Sequence, residues 1–215
     1  MSTKIYLIRH GESLGNLNRV VLGHTDLPLT EKGRAQAALT ASALADVSFD
    51  AIYSSDLCRA VETAAPNAAP RNMQVVPVKE LRELYFGDWE NASVADLLER
   101  CPEMYKVAWR GNFGTFIAPN GESVVALADR AVSSLEKIAR EHDDGCVLVA
   151  SHAALIRALW AKISGLEPSE WAEKVEFPTN ASYSVVEFDG ERFIPLSYSN
   201  DRHLGDLVTA IMKVK

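Results

Sequence analysis

The chain has 215 residues, 47% of them hydrophobic, and a formal net charge of −7. That is enough for one domain with a sizeable core, and too apolar for a disordered chain. The acidic balance argues against nucleic acid or an anionic membrane as partner, so any phosphate site must be a local basic pocket.

Residues 4–9 carry the apolar run Ile5-Tyr6-Leu7-Ile8 and end on Arg9-His10, which predicts a buried first strand. A polar loop follows, with turn residues at Gly23, Asp26 and Pro28, and no helical pattern over residues 16–28. Thr30 is placed to cap a helix through about Leu44, with Ala35, Ala38, Leu39 and Ala41 as its apolar positions. Residues 49–53 predict a second strand, after which Ser54, Ser55 and Asp56 open a helix carrying Arg59. Residues 74–78 predict a third strand.

Residues 90–120 have no clean periodicity and contain Trp109, Phe113, Phe116, Ile117 and Pro119. Loop plus short helix is the expectation, an insertion placed to form a lid over a site. Ser123 begins a long amphipathic helix with Val124, Leu127, Ala131, Leu135 and Ile138 on one stripe. Residues 146–150 form a continuous apolar strand, His152 follows it, and a further helix starts there. Residues 184–188 and 193–196 flank the turn Asp189-Gly190 as a late strand pair. The alternation predicts an α/β fold with a mostly parallel open sheet in a single domain over residues 1–215.

No apolar stretch is long enough to span a bilayer, and the N-terminal apolar run is too short for a signal peptide. Cys58, Cys101 and Cys146 match neither a disulfide framework nor zinc spacing. A reduced, cytoplasmic protein with inert thiols is the expectation. A homodimer is compatible with the chain.

Three strand ends carry the chemistry. If the strands are parallel, His10, Ser54-Ser55 and His152 share one sheet edge, where open α/β sheets bind ligands, and Arg59 lies one turn beyond. Arginine presents a planar fork to phosphate, and neutral imidazole is a nucleophile. Taken singly, His10 or His152 is more often structural, Arg59 is a solvated helix residue, and Glu83 is a surface charge. Their combined placement is what points to phosphoryl chemistry.

At these residues the chain resembles the histidine phosphatase superfamily, with its phosphoglycerate mutase-like, three-layer αβα fold. The blocks are Leu7-Ile8-Arg9-His10-Gly11-Glu12-Ser13 with Asn16, Gly23-His24-Thr25-Asp26, Ser54-Ser55-Asp56-Leu57-Cys58-Arg59-Ala60, Glu83 ahead of Phe86-Gly87-Asp88-Trp89-Glu90, and Ala150-Ser151-His152. The resemblance implies that His10 attacks phosphorus and becomes phosphohistidine. It implies that Arg9, Arg59 and His152 hold the equatorial oxygens and that Asn16 adds a neutral donor. Gly23 and Ala153 fall at further substrate-binding positions, and Glu83 protonates the leaving alcohol. A donor carboxyl at neutral pH needs partial desolvation, and neutral His10 needs a backbone carbonyl on its other nitrogen. No metal or other cofactor is implied, because arginines supply the positive charge. The activity implied is that of a histidine acid-type phosphatase, a phosphoric monoester hydrolase acting on small phosphorylated metabolites.

The family also contains mutases, which carry an Arg-His-Tyr run where this chain has Leu84, Tyr85 and Phe86. They carry a threonine where it has Leu22, and Gly-Asn where it has Ala153-Ala154. These replacements favour a phosphatase. Tyr85, Phe86, Trp109, Phe113 and Phe116 are expected either to wall the pocket or to sit in the core. The run around Leu84–Glu90 is similar to alpha-ribazole phosphatases, and residues 200–204 look more like broad-specificity members. Ala153 and Asn91 stand where the family usually has glycine. A non-catalytic phospho-ligand sensor on the same fold remains an alternative. Gly11-Glu12-Ser13-Leu14-Gly15 also fits the serine-hydrolase elbow, but it follows the first strand of the chain, with no earlier strand to supply an oxyanion loop.

Overall fold

Ile5, Leu7 and Ile8 in β1 (Thr3–Arg9) and Val147, Leu148, Val149 and Ala150 in β4 (Cys146–Ser151) are fully buried, so both faces of the sheet centre are covered. The computed structural model describes residues 2–103 and 113–209. Among them, β1 and β4 join β2 (Ala51–Ser55), β3 (Val75–Val78), β5 (Tyr183–Phe188) and β6 (Phe193–Asn200) in one sheet of order β3-β2-β4-β1-β5-β6. β1, β2, β3 and β4 are mutually parallel; β5 runs antiparallel to β1, and β6 antiparallel to β5.

Alternate side chains define the layers. Ile5, Leu7, Val147 and Val149 pack with α5 (Val124–Glu141) and α6 (Ala153–Ile163) through Leu127, Leu135, Leu155 and Leu159. Ile8, Ile52, Leu148 and Ala150 face Ala64 and Ala68 of α3 (Cys58–Ala68), together with Leu44 at the end of α2 (Glu31–Ala43). The result is three-layer αβα. No helix among the described residues is long and apolar enough to cross a membrane.

The stripe expected on α5 is the one buried, with Ala128 and Ala139 added. The face expected on α2 is wrong. Gly33, Gln36, Ala37 and Thr40 are buried instead, because this helix docks through polar contacts: Gln36 to the Glu12 N–H and the Leu207 carbonyl, and Thr40 Oγ1 to the Ala181 carbonyl. The Thr30 cap is present, accepting from the Gly33 N–H at 3.0 Å. β2 begins later than expected and takes in Ser54 and Ser55, so α3 starts at Cys58. β6 runs four residues further than predicted, to Asn200.

The loop after β1 holds a short helix missed in the sequence, α1 (Leu14–Asn18), closed by a capping box between Ser13 and Asn16. Within residues 90–120, residues 104–112, Trp109 included, lie outside the described residues. The remainder contains α4 (Val94–Arg100), whose Val94 and Leu97 are buried, and a 3₁₀ turn at Phe113–Thr115.

Candidate active site

The parallel register delivers the predicted strand ends to one edge. Arg9 of β1 pairs with Ser151 of β4, and the His10 N–H donates to the Ser151 carbonyl at 2.9 Å. The two imidazoles therefore meet, with ring centroids 5.2 Å apart and planes at 60°. His10, 5% exposed, lines a cavity of about 680 Å³ together with Arg9, Asn16, Gly23, Arg59, Glu83 and Ala153. His152 abuts His10 but is 0% exposed and contributes nothing to the cavity wall. Both its nitrogens are buried without a partner.

His10 Nδ1 lies 2.7 Å from the Gly11 carbonyl. A carbonyl only accepts, so the proton sits on Nδ1 and the lone pair on Nε2. Burial holds His10 well below the usual imidazole value, and Arg59 and Arg9 push the same way. His152 is lowered for the same leading reason. Glu83 is displaced upward by burial, against N–H donors from Leu84 and Ala154 and the charges of Arg59 and Arg9. Its carboxylate caps the N-terminus of α6, accepting from Ala154 at 3.1 Å and Leu155 at 3.2 Å. Arg130 braces the turn ahead of it through the carbonyls of Glu80, Arg82 and Glu83.

The two arginines are held mainly by backbone carbonyls, with Asp26 Oδ1 4.0 Å from Arg59 Nη1. Arg9 Nη1 donates to the Pro178 carbonyl at 2.5 Å. Arg59, 1% exposed, donates through Nη1 to Thr25 and through Nη2 to Gly23, at 2.8 and 2.7 Å. In both, Nε is buried without a partner. Burial brings Arg9 down to about 10, still a cation at neutral pH. The amide oxygen of Asn16 accepts from Ser13 and Asn180, so its NH₂ is the end available to a ligand.

Glu90 organises the loop that holds Arg59. Its carboxylate accepts from the N–H groups of His24, Thr25 and Phe86 and from the Thr25 hydroxyl. Gly23 lies at φ +50°, and a side chain there would collide with that carboxylate. Asn91 occupies φ +64°, a conformation glycine takes freely and asparagine tolerates better than most, so the departure from glycine is accommodated. Ala153 opens α6 without a positive φ.

The aromatic residues divide between the two expectations. Phe86 lines the cavity, joined by Phe177, which the sequence reading did not single out. Phe113 and Phe116 are core residues, Phe116 packing on Trp89 with centroids 5.3 Å apart. Tyr85 is 40% exposed and stacks against His24. Asn180 was also missed; it fastens the His10 carbonyl at 3.0 Å and is an ordinary loop polar residue in sequence. The Ser13 hydroxyl is bound up in the capping box. Burial and Asp26 push the Cys58 thiol up to about 12, which removes it as a nucleophile. Among the described residues, no group of His, Cys, Asp and Glu is disposed to hold a metal.

The model of the histidine phosphatase superfamily (branch 1) matches residues 5–201. An adenosylcobalamin/alpha-ribazole phosphatase of Escherichia coli (strain K12) is 32% identical over 204 residues, 94% of this chain and 98% of that protein. The solved structure of Bacillus stearothermophilus YhfR superposes with a TM-score of 0.88 at 28% identity, covering 94% of this chain and 99% of that one. A mycobacterial glucosyl-3-phosphoglycerate phosphatase in complex with VO3 gives 0.83 at 28% identity, covering 91% and 98%.

Proposed function

Since this chain belongs to the histidine phosphatase superfamily, we infer that its cavity hydrolyses phosphate monoesters of small metabolites through a phosphohistidine at His10. One observation carries the reading: His10, Arg9, Arg59 and Glu83 face one cavity, Arg9 and Arg59 carry buried nitrogens with no protein partner, and His152, packed behind His10, carries two more. Buried polar groups are satisfied almost everywhere in proteins, so such a cluster suits an anion that arrives with the substrate.

In the first step His10 Nε2 attacks phosphorus in line as the ester P–O bond breaks, and the leaving oxygen takes the proton of Glu83. In the second, water attacks the phosphohistidine, Glu83 takes its proton, the N–P bond breaks, and inorganic phosphate leaves. The arginines and His152 serve the charge spread over the equatorial oxygens. This is the chemistry of a histidine acid-type phosphatase, with water as acceptor. Leu84, Tyr85 and Phe86, in place of the Arg-His-Tyr run of mutases, favour water over a second metabolite. A cavity of about 680 Å³ leaves room for a leaving group far larger than phosphate.

His10→Ala is expected to lower turnover of p-nitrophenyl phosphate by several orders of magnitude, and rapid quenching of the wild type should trap an acid-labile phosphate on His10. Near-normal turnover of the variant refutes the reading.

A further inference from the structure

The cavity continues past the phosphate cradle along α6 and meets another buried cation. Arg157 lies four residues beyond Ala153, ~6 Å along the helix axis, and both line the cavity. It is 2% exposed and makes no ion pair among the described residues. Its guanidinium sits in the corner between Phe113 and Phe177, 4.3 and 4.1 Å from the ring centroids. Nε donates to the Val175 carbonyl at 2.7 Å and Nη2 to Ala172 at 2.9 Å, which pins the segment around α7 (Trp171–Lys174) to α6. That structural duty accounts for two of the three nitrogens. Nη1 is buried with no partner.

A buried guanidinium without a carboxylate is costly, and a buried N–H without an acceptor adds to the cost. Apart from Asn67, the described residues with such orphaned polar atoms are Arg9, Arg59, His152 and Arg157. Arg9 and Arg59 belong to the proposed phosphate cradle and His152 packs behind it, so Arg157 carries the same signature on the wall of the same cavity. Beside Arg157 the cavity wall holds one ring, Phe177, and exposed Glu176, and the guanidinium has one nitrogen unpartnered. Those features suit a monoanion better than a second phosphate.

Resting on the phosphatase reading above, we propose that Arg157 determines specificity by receiving a carboxylate of the substrate, so that the preferred phosphomonoester is also a carboxylic acid. The test measures dissociation constants by calorimetry for phosphonoacetate, 3-phosphonopropionate and 4-phosphonobutyrate, each against the alkylphosphonate of matched length. The wild type should bind at least one acid about tenfold or more tightly than its matched alkylphosphonate. Arg157→Met should bring that ratio to about one, with Arg157→Lys in between. A wild-type ratio near one at every length overturns the proposal. So does a ratio that persists in Arg157→Met, which would place the preference on Arg9 or Arg59, leaving Arg157 structural. If Arg157→Met does not fold, Arg157→Gln and Arg157→Lys supply the same ratio, which loss of the α7 staple alone would not change. Wild-type protein that shows the carboxylate preference yet leaves p-nitrophenyl phosphate intact breaks the phosphatase reading and spares the subsite.

Discussion

His10 and Glu83 share one dry cavity, and burial drives them in opposite directions, the imidazole down and the carboxyl up. Each is thereby biased toward its neutral form, the form the proposed chemistry needs. The sign follows for the pH profile. Turnover is lost on the acid side when His10 takes a proton, below its ordinary value of about 6.5. It is lost on the alkaline side when Glu83 gives its proton up, above its ordinary value of about 4.3. Glu83→Gln should abolish the alkaline limb in kcat. It should slow alkyl phosphates by about 10²–10⁴-fold while sparing the first-turnover burst of p-nitrophenolate, whose departure needs no proton. An unchanged alkaline limb in that variant would remove Glu83 from the proposed step. His10, Arg9, Arg59, Glu83 and His152 are legible from sequence because four ordered blocks surround them. Arg157 is not, since one arginine inside Ala-Leu-Ile-Arg-Ala-Leu-Trp reads only as a break in an apolar helix.

The loop at Gly23–Thr25 and the 3₁₀ turn at Gly87–Trp89 act as one element, tied by the Glu90 carboxylate. The carbonyls that grip Arg59 belong to that loop, so Glu90 positions Arg59, which lines the cavity, without being among the lining residues itself. Glu90→Ala leaves three backbone donors and one hydroxyl unpaired. It is expected to weaken competitive inhibition by inorganic phosphate about tenfold or more, with Glu90→Gln, which keeps one acceptor oxygen, in between. Equal inhibition of variant and wild type would count against this coupling. Among the helices, α5 is readable because a strongly amphipathic stripe meets an apolar sheet. α2 is misread because most of its alanines lie on the outer face while Gly33, Gln36, Ala37 and Thr40 are buried, and its docking is decided by Gln36 and Thr40, whose partners lie far away in the chain. The short α1 escapes notice because five residues are too few to show a period.

Across the whole molecule, His10, His24, His152 and His203 are all depressed, burial being the leading cause in each. As pH falls through about 6.5 the unfolded chain gains protons that the folded chain refuses, so stability drops. Glu83 works the other way: where the folded carboxyl stays protonated and the unfolded one is ionised, it costs stability as pH rises. Several histidines outweigh one carboxyl. Melting temperature should therefore fall between about pH 7 and pH 5, and His152→Asn should make the slope shallower. A flat profile in the wild type would contradict this balance. The parallel core is readable from apolar runs, but its late additions are less so. Pro178 and Asn180 reach the cradle only because β5 reverses direction, and a backbone carbonyl leaves no mark in a sequence.

That arrangement has a consequence for biosynthesis. His10 is synthesised well before the ring it abuts and the groups that fasten its carbonyl and its neighbouring guanidinium, which are at positions 152, 178 and 180. A nascent chain that stops short of position 152 holds His10 without those partners, so under the proposed mechanism it is expected to leave phosphoesters intact.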